Sequence, residues 1–157
     1  MSTLKINDKF RLVCPEGFRS MTKQERAQLR IAEEGEILCL SNEGEHMAVS
    51  IAWKEINFAV GLILHLIRPI KSVEAGVNRA MPPYGFKRET SLTRQIGGQN
   101  AEGFRYTYVA GGTPMIGETY VIRQTRSLTF FHMYLREANR EDGLVQWNVL
   151  LDAVEPQ

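Results

Sequence analysis

Gly111-Gly112-Thr113 lies between two aromatic, alternating runs, and the same residue types can cradle a phosphate. A Walker-type loop needs spaced glycines that run into Lys and Ser or Thr at the start of a helix, so that free N–H groups and the helix dipole face the anion. Here the glycines run into Pro114, Met115 and another alternating stretch, with no lysine. Two glycines between alternating runs are instead a hairpin signal, because both accept positive φ. The segment is expected to be a hairpin tip.

The other chemistry-bearing side chains are scattered. His46, His65 and His132 fall in three different stretches, without the i, i+2 or i, i+4 pairs that put two imidazoles on one metal. Cys14 and Cys39 each lie in apolar alternation, which favours buried thiols, since a nucleophilic cysteine needs a base and partial exposure. Glu33-Glu34 and Glu141-Asp142 are adjacent rather than facing, as solvated surface would have them. No catalytic residue, cofactor or metal ligand is assigned, and an enzyme is the disfavoured class. The alternative is a small-molecule-binding protein or a cysteine/histidine hydrolase on Cys14, His132 and a nearby carboxylate, which requires those groups to converge in a cleft.

The elements that would position these residues follow from periodicity. Residues 8–14 alternate as a strand; Thr22 and Glu25 form a capping box for a short helix that Gly35 would stop. Two runs, 36–40 and 45–53, flank the turn residues SNEG, with Met47, Val49, Ile51 and Trp53 on one face. From Ile56 to Ala80 the period changes to three and four, as in a buried helix stripe. Pro69 would kink that helix or start a second one, and Pro82-Pro83-Tyr84-Gly85 would close it. Four further strands are expected in 86–96, 102–110, 117–124 and 127–137. A final helix is expected over 139–154, with Asn139 as cap and Leu144, Trp147, Leu151 and Val154 on one stripe. Strands joined by hairpins run antiparallel. The fold class is therefore α+β, a largely antiparallel sheet covered by helices in α/β/α layers.

Composition narrows the function. The 157 residues suit one domain, 1–157, and 19 basic against 18 acidic side chains give a charge of +1. Without a clustered basic face, nucleic acid is not an expected partner. The most apolar run, 58–67, is about half the ~20 residues that span a bilayer, so no membrane span is expected. The first residues lack the basic and apolar regions of a secretory leader, and two cysteines are too few for a disulfide scaffold. The cytoplasm is the expected location.

The stretches DKFRLVCPEGFRSM (8–21) and GGQNAEGFRYTYVAGGTPMIGETYVIRQTRSLTFFHMYLRE (97–137), with the closing helix, resemble the PsbP-like family. Its members include a Ran-binding nuclear import factor, a photosystem extrinsic subunit and bacterial DcrB-type relatives. The shared features are a strand ending in Pro-x-Gly-aromatic, a Gly-x-x-Ala-x-x-aromatic-x-Tyr strand, a long hairpin, and a strand leading into a last helix. The resemblance implies an antiparallel sheet between helices. It implies a scaffold that binds diverse protein partners without shared catalytic residues.

The reading is therefore a non-enzymatic protein-binding, adaptor or chaperone-like bacterial domain with an unidentified protein partner; self-association stays open. In 127–137, Phe131, Met133 and Leu135 form a purely apolar row, whereas Leu128, Phe130, His132, Tyr134 and Arg136 form a mixed one. That mixed row, continued by Tyr106 and Tyr120 on neighbouring strands, is the candidate partner-binding face. Coverage of the row by the last helix or by the 56–80 segment would remove it.

Overall fold

The computed structural model describes residues 2–28, 36–56, 70, 71, 73–75 and 84–157. Three short strands, β1 (Thr3–Lys5), β2 (Phe10–Val13) and β10 (Val154–Pro156), form an antiparallel sheet in the order β1-β2-β10. Seven more form the main sheet: β3 (Arg19–Ser20), β4 (Glu36–Asn42), β5 (Met47–Glu55), β6 (Lys87–Ile96), β7 (Gln99–Ala110), β8 (Thr113–Gln124) and β9 (Ser127–Arg136). Their order is β3-β4-β5-β9-β8-β7-β6, antiparallel throughout. Helix α1 spans Lys23–Gln28 and helix α2 spans Arg140–Asp152.

Local chemistry explains the punctuation. Gly111 and Gly112 take φ of 55° and 80°, and Ala110 pairs Thr113, so they are the two-residue tip of the β7–β8 hairpin. The capping box forms reciprocally: the Glu25 N–H donates to Thr22 Oγ1 at 3.2 Å, and the Thr22 N–H donates to Glu25 Oε1 at 3.1 Å.

One face of the main sheet, here the helix face, carries the core. Met47, Val49 and Ile51 of β5 stand opposite Leu135, Met133 and Phe131 of β9, and Trp147, Leu150 and Leu151 of α2 pack on them. Gly143, an odd choice inside a helix, is required by this packing: a Cβ there would lie 2.5 Å from Leu135 Cδ2. On the opposite face, Ile70 and Val73, in a helical stretch, pack against Phe104, Tyr106 and Leu128. Helical residues thus lie on both faces, and the α+β layering follows.

Some expectations need correction. Asn139 stands at the α2 N-cap position but makes no capping hydrogen bond through its side chain, because a 3-10 turn, Glu137–Asn139, already leads into the helix. Val154 lies beyond α2 in β10, where it pairs with Leu12 and is buried. Strands as short as β1 and β10 leave no detectable alternation. The stop at Gly35, His65, Pro69 and most of the 56–80 helix lie outside the described residues.

Candidate functional site

The face opposite α2 is a tract of tyrosines on a floor of small side chains. Phe104, Tyr106 and Tyr108 alternate along β7, so all three point the same way. Their ring centroids are 5.5 Å and 5.7 Å apart in tilted pairs, and Phe86 adds a ring 5.4 Å from Tyr106. Register places Tyr106 opposite Gly117, and Gly117 opposite Tyr134. A Cβ on Gly117 would lie 2.4 Å from Tyr106 Cζ. The glycine therefore lets the Tyr106 ring cross β8 toward Tyr134, covering backbone that would otherwise be bare. The neighbouring β5 positions are Ala48, Ser50 and Ala52.

The buried titratable groups on β7 and β9 are held in their neutral forms. His132 is half-buried, with Nδ1 3.0 Å from Thr119 Oγ1 and its ring stacked on Phe130 at 6.2 Å between centroids. Burial holds its pKa down to about 4. The Tyr106 phenol is pushed well above its usual range by burial, with Tyr134 and Tyr108 acting in the same direction. Burial also raises Tyr134, against a hydrogen bond with Ser50. Lys54 Nζ sits 5.8 Å from the Phe130 centroid, a cation over an aromatic face.

The row grades from inside to outside along β9. Leu128 is buried against Ile56, Ile70 and Phe104; Phe130, His132 and Tyr134 are half-buried; Arg136 is exposed. Arg136 forms one register row with Met115 and Tyr108, both half-buried, and has no ion-pair partner among the described residues.

Five of the six expected residues, Phe130, His132, Tyr134, Arg136 and Tyr106, thus share a face. Tyr120 does not. It pairs with Phe131 and Gly103 and belongs to the helix-face core. The two-residue loop Thr125-Arg126 carries the signal, because pairing Gln124 with Ser127 puts Tyr120 opposite Phe131. Met115, absent from the expected face, is found in the same way.

The catalytic alternative also meets its geometry. Cys14 follows β2 and is buried in the helix-face core, on the other side of the sheet from His132. Cys39 lies in the His132 row but with Ser50 between them. Burial raises both thiols and keeps the imidazole neutral. A thiolate–imidazolium pair is not assembled from these groups. Among the described residues, no group of three or more His, Cys, Asp and Glu is placed to hold a metal, and no helix is long and apolar enough to cross a membrane.

No protein-family model matches the sequence, and no curated protein matches it. Solved structures do. LpqN, involved in cell envelope biogenesis of Mycobacterium tuberculosis, aligns with a TM-score of 0.61 at 12% identity over 94% of this chain and 83% of its own. Cyanobacterial PsbP from Synechocystis aligns with a TM-score of 0.58 at 13% identity, over 98% of this chain and 90% of its own. A mutant of the protein Mog1 aligns with a TM-score of 0.50 at 12% identity, over 97% of this chain and 85% of its own. At such identities the likeness is one of fold, and the fold is PsbP-like.

Proposed function

We propose that this chain is a non-enzymatic protein-binding domain of adaptor type, which engages its partner at the open end of β7, β8 and β9. The carrying observation is the register row Tyr108, Met115 and Arg136, continued by Tyr134. It sets two aromatics, a methionine and an arginine without an ion-pair partner among the described residues at the rim of a packed aromatic tract. Tyr, Met and Arg are enriched in interface cores, and clustering them beside a rigid, water-excluding surround is how a small area comes to dominate affinity. Packing of the tilted rings along β7 holds the row in shape before any partner arrives, which lowers the ordering cost of binding. Two free, buried thiols support a reducing, cytoplasmic setting.

The test has two stages. Affinity capture from the source organism supplies a partner, and the purified pair is then measured with Arg136→Glu, Met115→Lys and, as control, Val145→Lys on the exposed side of α2. Arg136→Glu and Met115→Lys should each weaken binding about tenfold or more at unchanged melting temperature, the control leaving both alone. Unchanged affinity in the first two variants overturns the reading.

A further inference from the structure

The last strand of an open sheet presents a row of backbone N–H and C=O groups that another strand can pair. Among the described residues, three of the four sheet edges are blunted by length. β1, β10 and β3 have three, three and two residues, and Arg19 of β3 is drawn to Glu25 and Glu43. The fourth edge is β6, ten residues long, without a proline and paired on one side only, to β7. Among the described residues its outer side has no backbone partner.

β6 is guarded at one end and open at the other. Its register on β7 shifts between Arg88 and Thr90, and Lys87, Arg88 and Glu89 concentrate charge there. A bulge and a run of charges are devices that refuse a foreign strand. From Thr90 to Ile96 the ladder is regular. Arg94, the one charge in that stretch, is turned back over α2, donating to Asn148 Oδ1 at 2.6 Å and pairing with Asp152. Ser91, Thr93 and Gln95 are exposed on one face, and Leu92 and Arg94 are half-buried on the other.

We infer that β6 is a homodimer interface in which residues 90–96 of two copies pair antiparallel about a two-fold axis at Thr93. Opposite residues of an antiparallel pair share a face, so a symmetric pairing must centre on one residue. Centring on Arg94 sets guanidinium against guanidinium. Centring on Leu92 or Ser91 runs each copy into the bulge of the other, and centring on Gln95 leaves only 94–96 before the Gly97-Gly98 turn. Thr93 uses the whole regular stretch. It then faces Thr93 of the second copy, Ser91 faces Gln95, and the Arg94 stem covers Leu92, so no like charges meet. A foreign peptide is selected by side-chain pockets beside the edge, whereas the hydroxyls and amide of 91, 93 and 95 match a copy of themselves. This interface does not use the Tyr108–Arg136 row and does not depend on it.

Sedimentation of the wild type over a concentration series should show a reversible monomer–dimer equilibrium. Thr93→Asp and Thr93→Lys set like charges against each other at the axis, and each should raise the dissociation constant about tenfold or more while keeping the wild-type circular dichroism, since Thr93 is exposed. Thr93→Asp should weaken the dimer more, because Glu102 stands opposite Thr93 on β7. An equimolar mixture of the two variants should restore the dimer, aspartate facing lysine. Thr93→Cys should be joined by a short thiol-to-thiol crosslinker, because directly opposite Cβ atoms lie about 4.5–5.5 Å apart, and Lys87→Cys should not; the native Cys14 and Cys39 are buried. This arm reports on the axis without any change of charge, should the charged variants fold poorly. A wild type that stays monomeric throughout overturns the interface and leaves the edge to an extended segment of another protein. A dimer that the charged variants leave intact overturns it as well. Weakened dimers that mixing does not restore, or an absent Thr93→Cys crosslink, overturn the register.

Discussion

The β7–β8 hairpin uses one device on both faces of the sheet, with opposite results. On the helix face, Tyr120 crosses Gly103; on the tyrosine face, Tyr106 crosses Gly117. Under Tyr120 the surroundings are charged and closed. Glu118, only 2% exposed, accepts from Trp147 Nε1 at 3.0 Å and from Arg105 Nε at 2.7 Å. Arg105 and Arg140 share Glu89, tying α2 to the sheet. Around Tyr106 the partners are hydroxyls, an imidazole and tilted rings, with the Arg88–Glu74 ion pair at the edge, and burial fades toward Arg136. A helix brings backbone, an indole N–H and charges that can satisfy a buried carboxylate; a surface that must accept a partner cannot hold an unpaired one. The contrast explains why the anchoring network and the candidate binding row lie on opposite faces.

The sharpest way to break this contrast is to empty the charged side. Glu118→Ala leaves Arg105 and the Trp147 N–H without their buried acceptor and should cost about 3–5 kcal/mol in chemical denaturation. On the tyrosine face, Thr119→Val removes one neutral hydrogen bond to His132 and should cost about 1 kcal/mol. Equal costs would erase the distinction between the faces.

Packing under α2 is tested next to it. Leu151 is fully buried against the sheet, so Leu151→Ala should cost about 2–5 kcal/mol. Gln146, half-buried on the same helix, should tolerate alanine within about half a kcal/mol. Similar values at the two positions would mean that α2 presents a different stripe.

Acid sharpens the comparison from the neutral side. Because burial depresses His132 to about 4 from 6.5, the unfolded chain binds a proton that the folded chain refuses between those values. Its contribution is complete above pH 6.5 and is lost as pH falls toward 4, by at most about 3 kcal/mol. His132→Gln should flatten that part of the stability–pH curve relative to wild type. An identical acid limb in the variant would show that His132 is not held neutral by its surroundings.

The smallest expected difference separates the two glycines. A Cβ on Gly103 would stand 2.3 Å from the Thr119 carbonyl oxygen, which is backbone, whereas the nearest atoms to one on Gly117 belong to the Tyr106 side chain. Alanine at 103 should therefore cost about 3 kcal/mol, and at 117 about 1 kcal/mol, since the ring can turn aside. A larger loss at 117 would make Tyr106 the more rigid of the two crossings.

Much of this was legible locally. Alternation marked β4, β5 and the four strands of the β6–β9 meander, because facing one apolar core imposes a period of two on any strand. Thr22 and Glu25 announced their capping box, and Gly111-Gly112 its positive-φ tip, because each depends on neighbours within a few residues. Five of the six candidate face residues share a face for the same reason. Tyr120 went astray because parity along a single strand does not say which row of the next strand it joins; the two-residue loops settle that once their length is known.

What sequence alone determined, then, was whatever short-range stereochemistry enforces: strand period, hairpin tips, helix cap and the apolar side of β5. Tertiary structure decided what depends on residues distant in the chain. It inserted β9 between β5 and β8, brought β10 back beside β2, and used Gly143 to bring α2 against Leu135. It also gave Arg19 the carboxylates of Glu25 and Glu43, which no periodicity reveals. The physical reason is that burial and pairing energies belong to pairs of surfaces, and a chain read in one dimension shows only one member of each pair at a time.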